Sequence, residues 1–432
     1  MIRRTASWPL QSISGSGHAR TSPGQRPASP DRALASARLE AVLRLFLLGL
    51  ATSIPGSPCA ASQLLVPSAG TADTALSGAT VAEPRTATGA MFSNPAALTL
   101  FDKITVNAST AVSFADARVN APAPSPYDET NSVFVLAPGL GVALPGKGSW
   151  HYGFALYGSV GNSFEFDADP AAGVENPFFS EAGVFTLAAG LAYRVNDRLS
   201  LGAAVTPLFG LSHMRYTLGG VPFDYRINGP GIQGMLGLRF EPCDGLALGL
   251  GVRTPGKVWM DGDMPLGEDR QDVDLELDMP AQVFAGVSKH LGERVTVSLA
   301  GRWTDASSLG DSIIEFEVTD AADAPFVPRA RDEWMVSAGV EYVCSDLLTL
   351  RLGVMHANAI VGDKGASPLV FDTRDTRLSA GFSLNFDSWS IDFMAGHGFR
   401  DSREIEADEA LILPGRYSVE GQVAMLGITW RH

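Results

Sequence analysis

Apolar and polar residues alternate along most of this chain. Val295, Val297, Leu299, Gly301 and Trp303 share one face of an extended segment, and Thr296, Ser298, Ala300, Arg302 and Thr304 share the other. Trp334, Val336, Ala338, Val340 and Tyr342 alternate with Met335, Ser337, Gly339 and Glu341. Leu348, Leu350, Leu352 and Val354 alternate with Thr349, Arg351, Gly353 and Met355. A period of two marks a β-strand, because successive side chains point to opposite faces. Fourteen such segments occur, near 103–115, 131–144, 150–160, 182–194, 198–211, 231–241, 245–254, 273–290, 294–304, 333–343, 347–357, 371–386, 388–399 and 417–431. Most match the roughly 9–11 residues a tilted strand needs to cross a bilayer.

The connections are sorted by length. Short turns fall at 145–149, 195–197, 242–245, 291–294, 344–346 and 386–388. Longer loops fall between them, at 116–130, 161–181, 212–230, 255–272, 305–332, 358–370 and 400–416. Strict alternation of short and long is the layout of an outer-membrane barrel, with short turns on the periplasmic side and long loops outside. A sheet can cross lipid only by closing on itself, since every backbone N–H and C=O must be bonded there. The predicted fold is therefore all-β, a transmembrane antiparallel β-barrel of 14 strands over residues 101–432. Residues 62–100 lie ahead of it and belong to no strand.

Composition agrees. Charged residues make up 18% of the 432 positions, below the soluble norm of roughly 25%. The net charge of -15 excludes a nucleic-acid partner, which needs a basic footprint. Residues 1–61 read as a leader: "AVLRLFLLGLA" at 41–51 is a short apolar core with Arg38 and Arg44 nearby, followed by "SIPGSP" and "CAAS". That is the order of a secretory signal, with cleavage expected near Ala61. Residues 1–38, rich in Ser, Pro, Arg and Gly, read as a start codon placed too early or as a disordered stretch. Removing the leader's seven arginines and two acids from totals of 32 and 47 leaves 25 basic against 45 acidic residues. Cys59, Cys243 and Cys344 form no CxxC pair and no metal spacing, so no metal site or cofactor is expected. Pro58 argues against a lipoprotein at Cys59. Cys243 and Cys344 sit on turns four strands apart, too far for a disulfide.

"NPAALTLF" at 94–101 resembles the Asn-Pro-Ala-Gly-Leu signature of the FadL/TodX-type outer-membrane long-chain fatty acid and hydrocarbon transporters. "LGLGVRTPGKV" at 248–258 resembles that family's Leu-Gly-x-x-Tyr-Arg-Ser-Pro segment. Residues 279–309 and 332–354 resemble two of its hairpins. The resemblance implies a bacterial outer-membrane monomer in contact with lipid and lipopolysaccharide. It also implies an N-terminal hatch at 62–100 that plugs the lumen, and a lateral opening where the third strand kinks. Hydrophobic small molecules, fatty acids or hydrocarbons, would be captured at the outer loops and leave sideways through the wall. Asn94, Pro95 and Ala96 would form the hatch end, with the Asn94 amide able to tie hatch to wall. Ala97 stands where the family has Gly, and Ala does not easily take positive φ, which leaves the form of the turn there open.

The third strand carries Gly158 and Gly161, the candidates for the wall kink, although barrel strands are Gly-rich in any case. Phe178 and Phe179 in "NPFFSEAGVF" and Phe223 in "VPFDYRI" are candidate ligand contacts; aromatic residues also flank every barrel rim. Arg226, Arg253 and Lys257 are candidate partners for a carboxylate, each competing with a plain rim charge. The acidic run Asp261 to Asp278 lacks the spacing of a calcium loop and reads as a solvated outer loop. No G-x-S-x-G elbow or H-E-x-x-H motif occurs, so an enzyme is not expected. A polar-solute porin is disfavoured by the many Ala, Gly, Ser and Met at alternate positions. A non-transport surface barrel, an adhesin or structural protein, stays open, as does the choice between fatty acids and aromatic hydrocarbons.

Overall fold

The computed structural model describes residues 65–122, 126–170, 174, 176–218, 221–266, 269–317, 323–408 and 412–432. The leader at 1–61, its cleavage point and Cys59 lie outside the described residues. Strands β1 (Thr105–Ala121), β2 (Tyr127–Pro145), β3 (Trp150–Phe166), β4 (Phe178–Asn196), β5 (Leu199–Leu218), β6 (Val221–Cys243) and β7 (Leu246–Arg253) form consecutive antiparallel pairs. An outer hairpin follows, β8 (Gly256–Leu266) and β9 (Asp269–Met279). Then come β10 (Gln282–Leu291), β11 (Val295–Thr304) and two short strands, β12 (Ile313–Phe316) and β13 (Ala324–Pro325). β14 (Glu333–Val343), β15 (Leu348–Ala357), β16 (Asp375–Asn385), β17 (Trp389–Ile405) and β18 (Gly415–Arg431) complete the chain. β7 pairs with β10, β11 with β14, and β18 with β1 from Thr105↔Arg431 to Asn120↔Arg416. Setting the outer pieces β8, β9, β12 and β13 aside, fourteen strands close into a barrel.

Period two decides which side chain meets lipid. On β15, Leu350, Leu352 and Val354 are exposed, while Thr349, Gly353, Met355 and Ala357 are buried inward. Phe114 and Phe134, paired across β1 and β2, expose their rings outward 5.3 Å apart. Such exposure would be an aggregation hazard in water, and in a bilayer it is the lipid face.

Two sequence expectations need correction. The expected loop 255–272 and the single strand 273–290 are instead the β8–β9 hairpin, a break at Pro280, and then β10. Val273, Leu275, Leu277 and Met279 point inward and Asp272, Asp274 and Glu276 outward, so the acidic run hides a strand. Pro280 cannot donate to a ladder, which ends β9. The second correction concerns loop length. β1 and β2 run on to 121 and back from 127, and β5 and β6 to 218 and back from 221. Much of the expected loops 116–130 and 212–230 is thus strand.

Residues 65–104 precede the barrel as α1 (Thr71–Ala75), α2 (Ala87–Ser93) and a 3-10 helix, Pro95–Leu100. Thr86 caps α2 by accepting from the Gly89 N–H at 3.0 Å. Residues Ala69 to Thr99 are buried almost without exception. They pack against inward positions of strands all round the barrel, where glycine gives the backbone room. A Cβ on Gly251 of β7 would lie 1.9 Å from the Ser93 carbonyl oxygen, and one on Gly353 of β15 would lie 2.4 Å from Leu76.

Candidate functional site: a seam in the barrel wall

β2 and β3 pair over only part of their length. β2 pairs with β3 only from Leu140↔Leu156 to Pro145↔His151. Beyond Leu140, β2 continues along β1 as far as Tyr127, and β3 continues along β4 as far as Phe166. Two sequence features sit where the ladder stops. Pro138, two residues from Leu140, has no N–H to give. On β3 the register with β4 shifts between Gly158 and Val160, a bulge at Ser159. Farther out, the Glu165 N–H donates to the Asn131 side chain at 3.1 Å, and the Tyr127 hydroxyl donates to the Asp167 carbonyl at 2.7 Å.

The N-terminal segment occupies part of the freed edge. Leu65 and Val160 form an antiparallel bridge, and the Val66 N–H donates to the Ser159 carbonyl at 3.2 Å. Behind this contact lies a cavity of about 90 Å³. Its lining is mostly small or apolar, including Ala111, Ala137, Pro138, Val423 and Met425, with residues 66–70 on its inner side. Among the described residues Arg377 is the one charged residue lining it, and its guanidinium is 2.8 Å from Asp375 Oδ2.

The candidates from sequence fall in five places. Gly158 lines this cavity beside the bulge, opposite Phe185, and Gly161 pairs with Gly183 farther along β3. Asn94 is fully buried between segment and wall. Its amide donates to the Val81 carbonyl and to the Leu238 carbonyl of β6, both at 3.0 Å, while its oxygen accepts from the Ala96 N–H at 3.2 Å. Pro95 opens the 3-10 helix, and Ala97 lies buried within it, at negative φ. At the long-loop end, Phe178 and Phe223 are buried in an apolar cluster, and Phe223 stacks on Tyr216 at 4.9 Å. Phe179 instead sits 4.7 Å from His213, with the Arg215 guanidinium 5.3 Å from its ring. Arg226 and Lys257 lie on the outer surface of β6 and β8. Arg226 is opposite Asp263, and Lys257 is 2.7 Å from Glu276. Neither is brought to the cavity.

Arg253 is the remaining candidate, and it is buried in the lumen at 5% exposure. It donates to the Gln282 side chain and to the Phe92 carbonyl, each at 2.7 Å, and lies 3.4 Å from the Tyr157 hydroxyl. Sequence reasoning missed the other lumen charges. Arg302 and Glu333, each 1% exposed, pair at 2.9 Å, and Arg302 also donates to the Val66 carbonyl at 2.7 Å. Arg85 reaches Glu341 at 3.0 Å, which in turn meets Arg351 at 2.6 Å. Glu83 lies 3.5 Å from Arg239 and 3.0 Å from His290. The signal was present: Arg239, Arg302 and Arg351 each stand at the inward phase of a strand. No group of residues suited to a metal ion occurs among the described residues.

A family model for outer membrane protein transport proteins, OMPP1/FadL/TodX, matches residues 51–237 and 235–431. A Pseudomonas aeruginosa FadL homologue superimposes with a TM-score of 0.73 at 17% identity, covering 85% of this chain and 99% of that one. The Pseudomonas putida toluene transporter TodX gives 0.66 at 19%, covering 85% and 99%. The Ralstonia pickettii toluene transporter TbuX gives 0.64 at 18%, covering 84% and 98%. No curated protein matches the sequence.

Proposed function

This chain belongs to the OMPP1/FadL/TodX family, outer-membrane barrels that transport hydrophobic compounds and are not enzymes, and we propose that it moves long-chain fatty acids or similar molecules sideways through the seam between β2 and β3. In this reading residues 65–100 act as the hatch. The observation that carries it is the coincidence of three features: a stretch where β2 and β3 no longer pair with each other, a small apolar cavity behind it, and hatch residues 65–70 filling the space between. The cavity of about 90 Å³ is smaller than the roughly 150 Å³ that accommodates a benzene ring. In this reading the arrangement is a closed one, and passage requires the hatch to move. No covalent step is involved; the work is differential binding of ligand to closed and open arrangements.

The apolar cluster around Phe178 and Phe223 supports capture at the outer loops, since it lies at the end from which substrate arrives. Aromatic hydrocarbons are the second reading, favoured by a cavity whose one cation among the described residues, Arg377, is already paired with Asp375. The test is uptake of radiolabelled oleate and toluene by a transport-deficient Gram-negative host expressing the protein. Import of either above the empty-vector level supports the reading and identifies the class. Correct insertion with import of neither would return weight to a non-transport surface barrel.

A further inference from the structure

Of the four arginines buried to this degree among the described residues, three face a carboxylate. Arg239 is 3.5 Å from Glu83, Arg302 is 2.9 Å from Glu333, and Arg377 is 2.8 Å from Asp375. Arg253 has no such partner, and its Nε–H has no acceptor. It is held by neutral oxygens and by two aromatic faces, the rings of Phe92 and Phe284 at 5.2 and 5.5 Å from its guanidinium carbon. A buried charge without a counter-charge is costly, and an unpaired buried N–H adds to the cost. Fold stability alone gives no reason to keep a guanidinium here.

Its position supplies one. The guanidinium of β7 joins four pieces: Gln282 of β10, the Tyr157 hydroxyl of β3, and the carbonyl and ring of Phe92 in α2. Tyr157 lines the seam cavity, and β3 is the strand that parts from β2. Tyr157 also meets the Phe92 ring edge-on at 5.3 Å. Arg253 thus couples the last turn of α2 to the wall strand at the seam. Its grip consists of hydrogen bonds and cation–π contacts that can be exchanged one at a time, with no ion pair to separate. The Arg302–Glu333 and Arg85–Glu341 pairs are anchors of the opposite kind.

Resting on the reading of residues 65–100 as a hatch, we propose that Arg253 is the latch of that hatch: a positioning residue that holds α2 against the seam in the closed state and releases it during passage. The proposal separates stability from closure. Arg253→Met keeps the bulk and removes the unpaired charge together with its hold on Phe92. It is expected to raise the conductance of the purified protein in planar bilayers roughly tenfold to a hundredfold, the equilibrium shift carried by one hydrogen bond to a charged group. Its heat-unfolding midpoint is expected to stay level or rise. Arg253→Lys keeps the charge but cannot serve Phe92 and Gln282 together, so its conductance should fall between the two.

Wild-type conductance in the Met variant would overturn the proposal. So would a loss of thermal stability that tracks the leak equally in both variants, since that is a purely structural role. Should the Met variant fail to insert, the Lys variant decides: wild-type closure overturns the latch, and an intermediate leak with an unchanged midpoint supports it. Oleate and toluene uptake by the wild type is measured alongside. Failure of uptake would remove the transport reading while leaving the conductance comparison to decide the latch.

Discussion

The carboxylate of Asp372 is 4% exposed beneath the outer loop between β15 and β16. It accepts from the Ile360 N–H at 2.7 Å and the Val361 N–H at 3.1 Å, with Arg403 Nη1 3.6 Å away. Burial outweighs these partners and pushes its pKa up to about 7. A raised folded-state pKa means the folded loop holds a proton that the unfolded loop has lost. Its contribution is then full below about pH 4 and is lost as pH rises through 7. Limited proteolysis of residues 358–374 should accelerate from pH 5 to pH 8, and Asp372→Asn should flatten that dependence. At Asn94 the expectation concerns packing. Asn94→Ala leaves the buried Val81 and Leu238 carbonyls without this donor, at about 1–3 kcal/mol each. Protease sensitivity of residues 65–100 should rise at least tenfold while the barrel stays resistant; equal sensitivity would show that the amide holds nothing. That the Asn94 amide could bond segment to wall was legible from its residue type; its burial and its two acceptors were not. Arg253 was only half legible: its residue type pointed to a carboxylate, but its missing counter-charge is a fact of three dimensions.

At the scale of elements, the barrel was readable because lipid on one side and packed lumen on the other impose period two on every spanning strand. Short turns were readable for the same reason. The β8–β9 hairpin was not, because Asp272, Asp274 and Glu276 face water beyond the lipid, and acidic density masked the inward Val273, Leu275 and Leu277. The seam was visible only in part. Gly158 stands beside the bulge of β3, whereas Pro138 on the facing strand, where the ladder stops, carried no sequence expectation. Pro138→Val restores an N–H at that position. The β2–β3 ladder should then extend, and import through the wall should fall several-fold with no loss of heat stability. Unchanged import would separate the proline from the opening.

At the scale of the molecule, inward glycines let a helical segment fill the barrel, and buried ion pairs fix its middle near residues 83–85. Its start is held more lightly, by the Leu65–Val160 bridge and by hydrogen bonds to Val66. On the proposed reading, movement is therefore expected at the start of the segment and at α2, with the ion-paired stretch near 83–85 as the fixed point. Leu65 and Val160 are direct cross-strand partners, whose Cα atoms lie about 4.5–5.5 Å apart in antiparallel pairs, within reach of a disulfide. The most direct measurement is therefore uptake by a Leu65→Cys/Val160→Cys protein with Cys243 and Cys344 replaced by serine. Lateral passage predicts that oxidation reduces oleate or toluene import to the empty-vector level and that dithiothreitol restores it. Import that continues undiminished through a fully cross-linked protein would contradict the account.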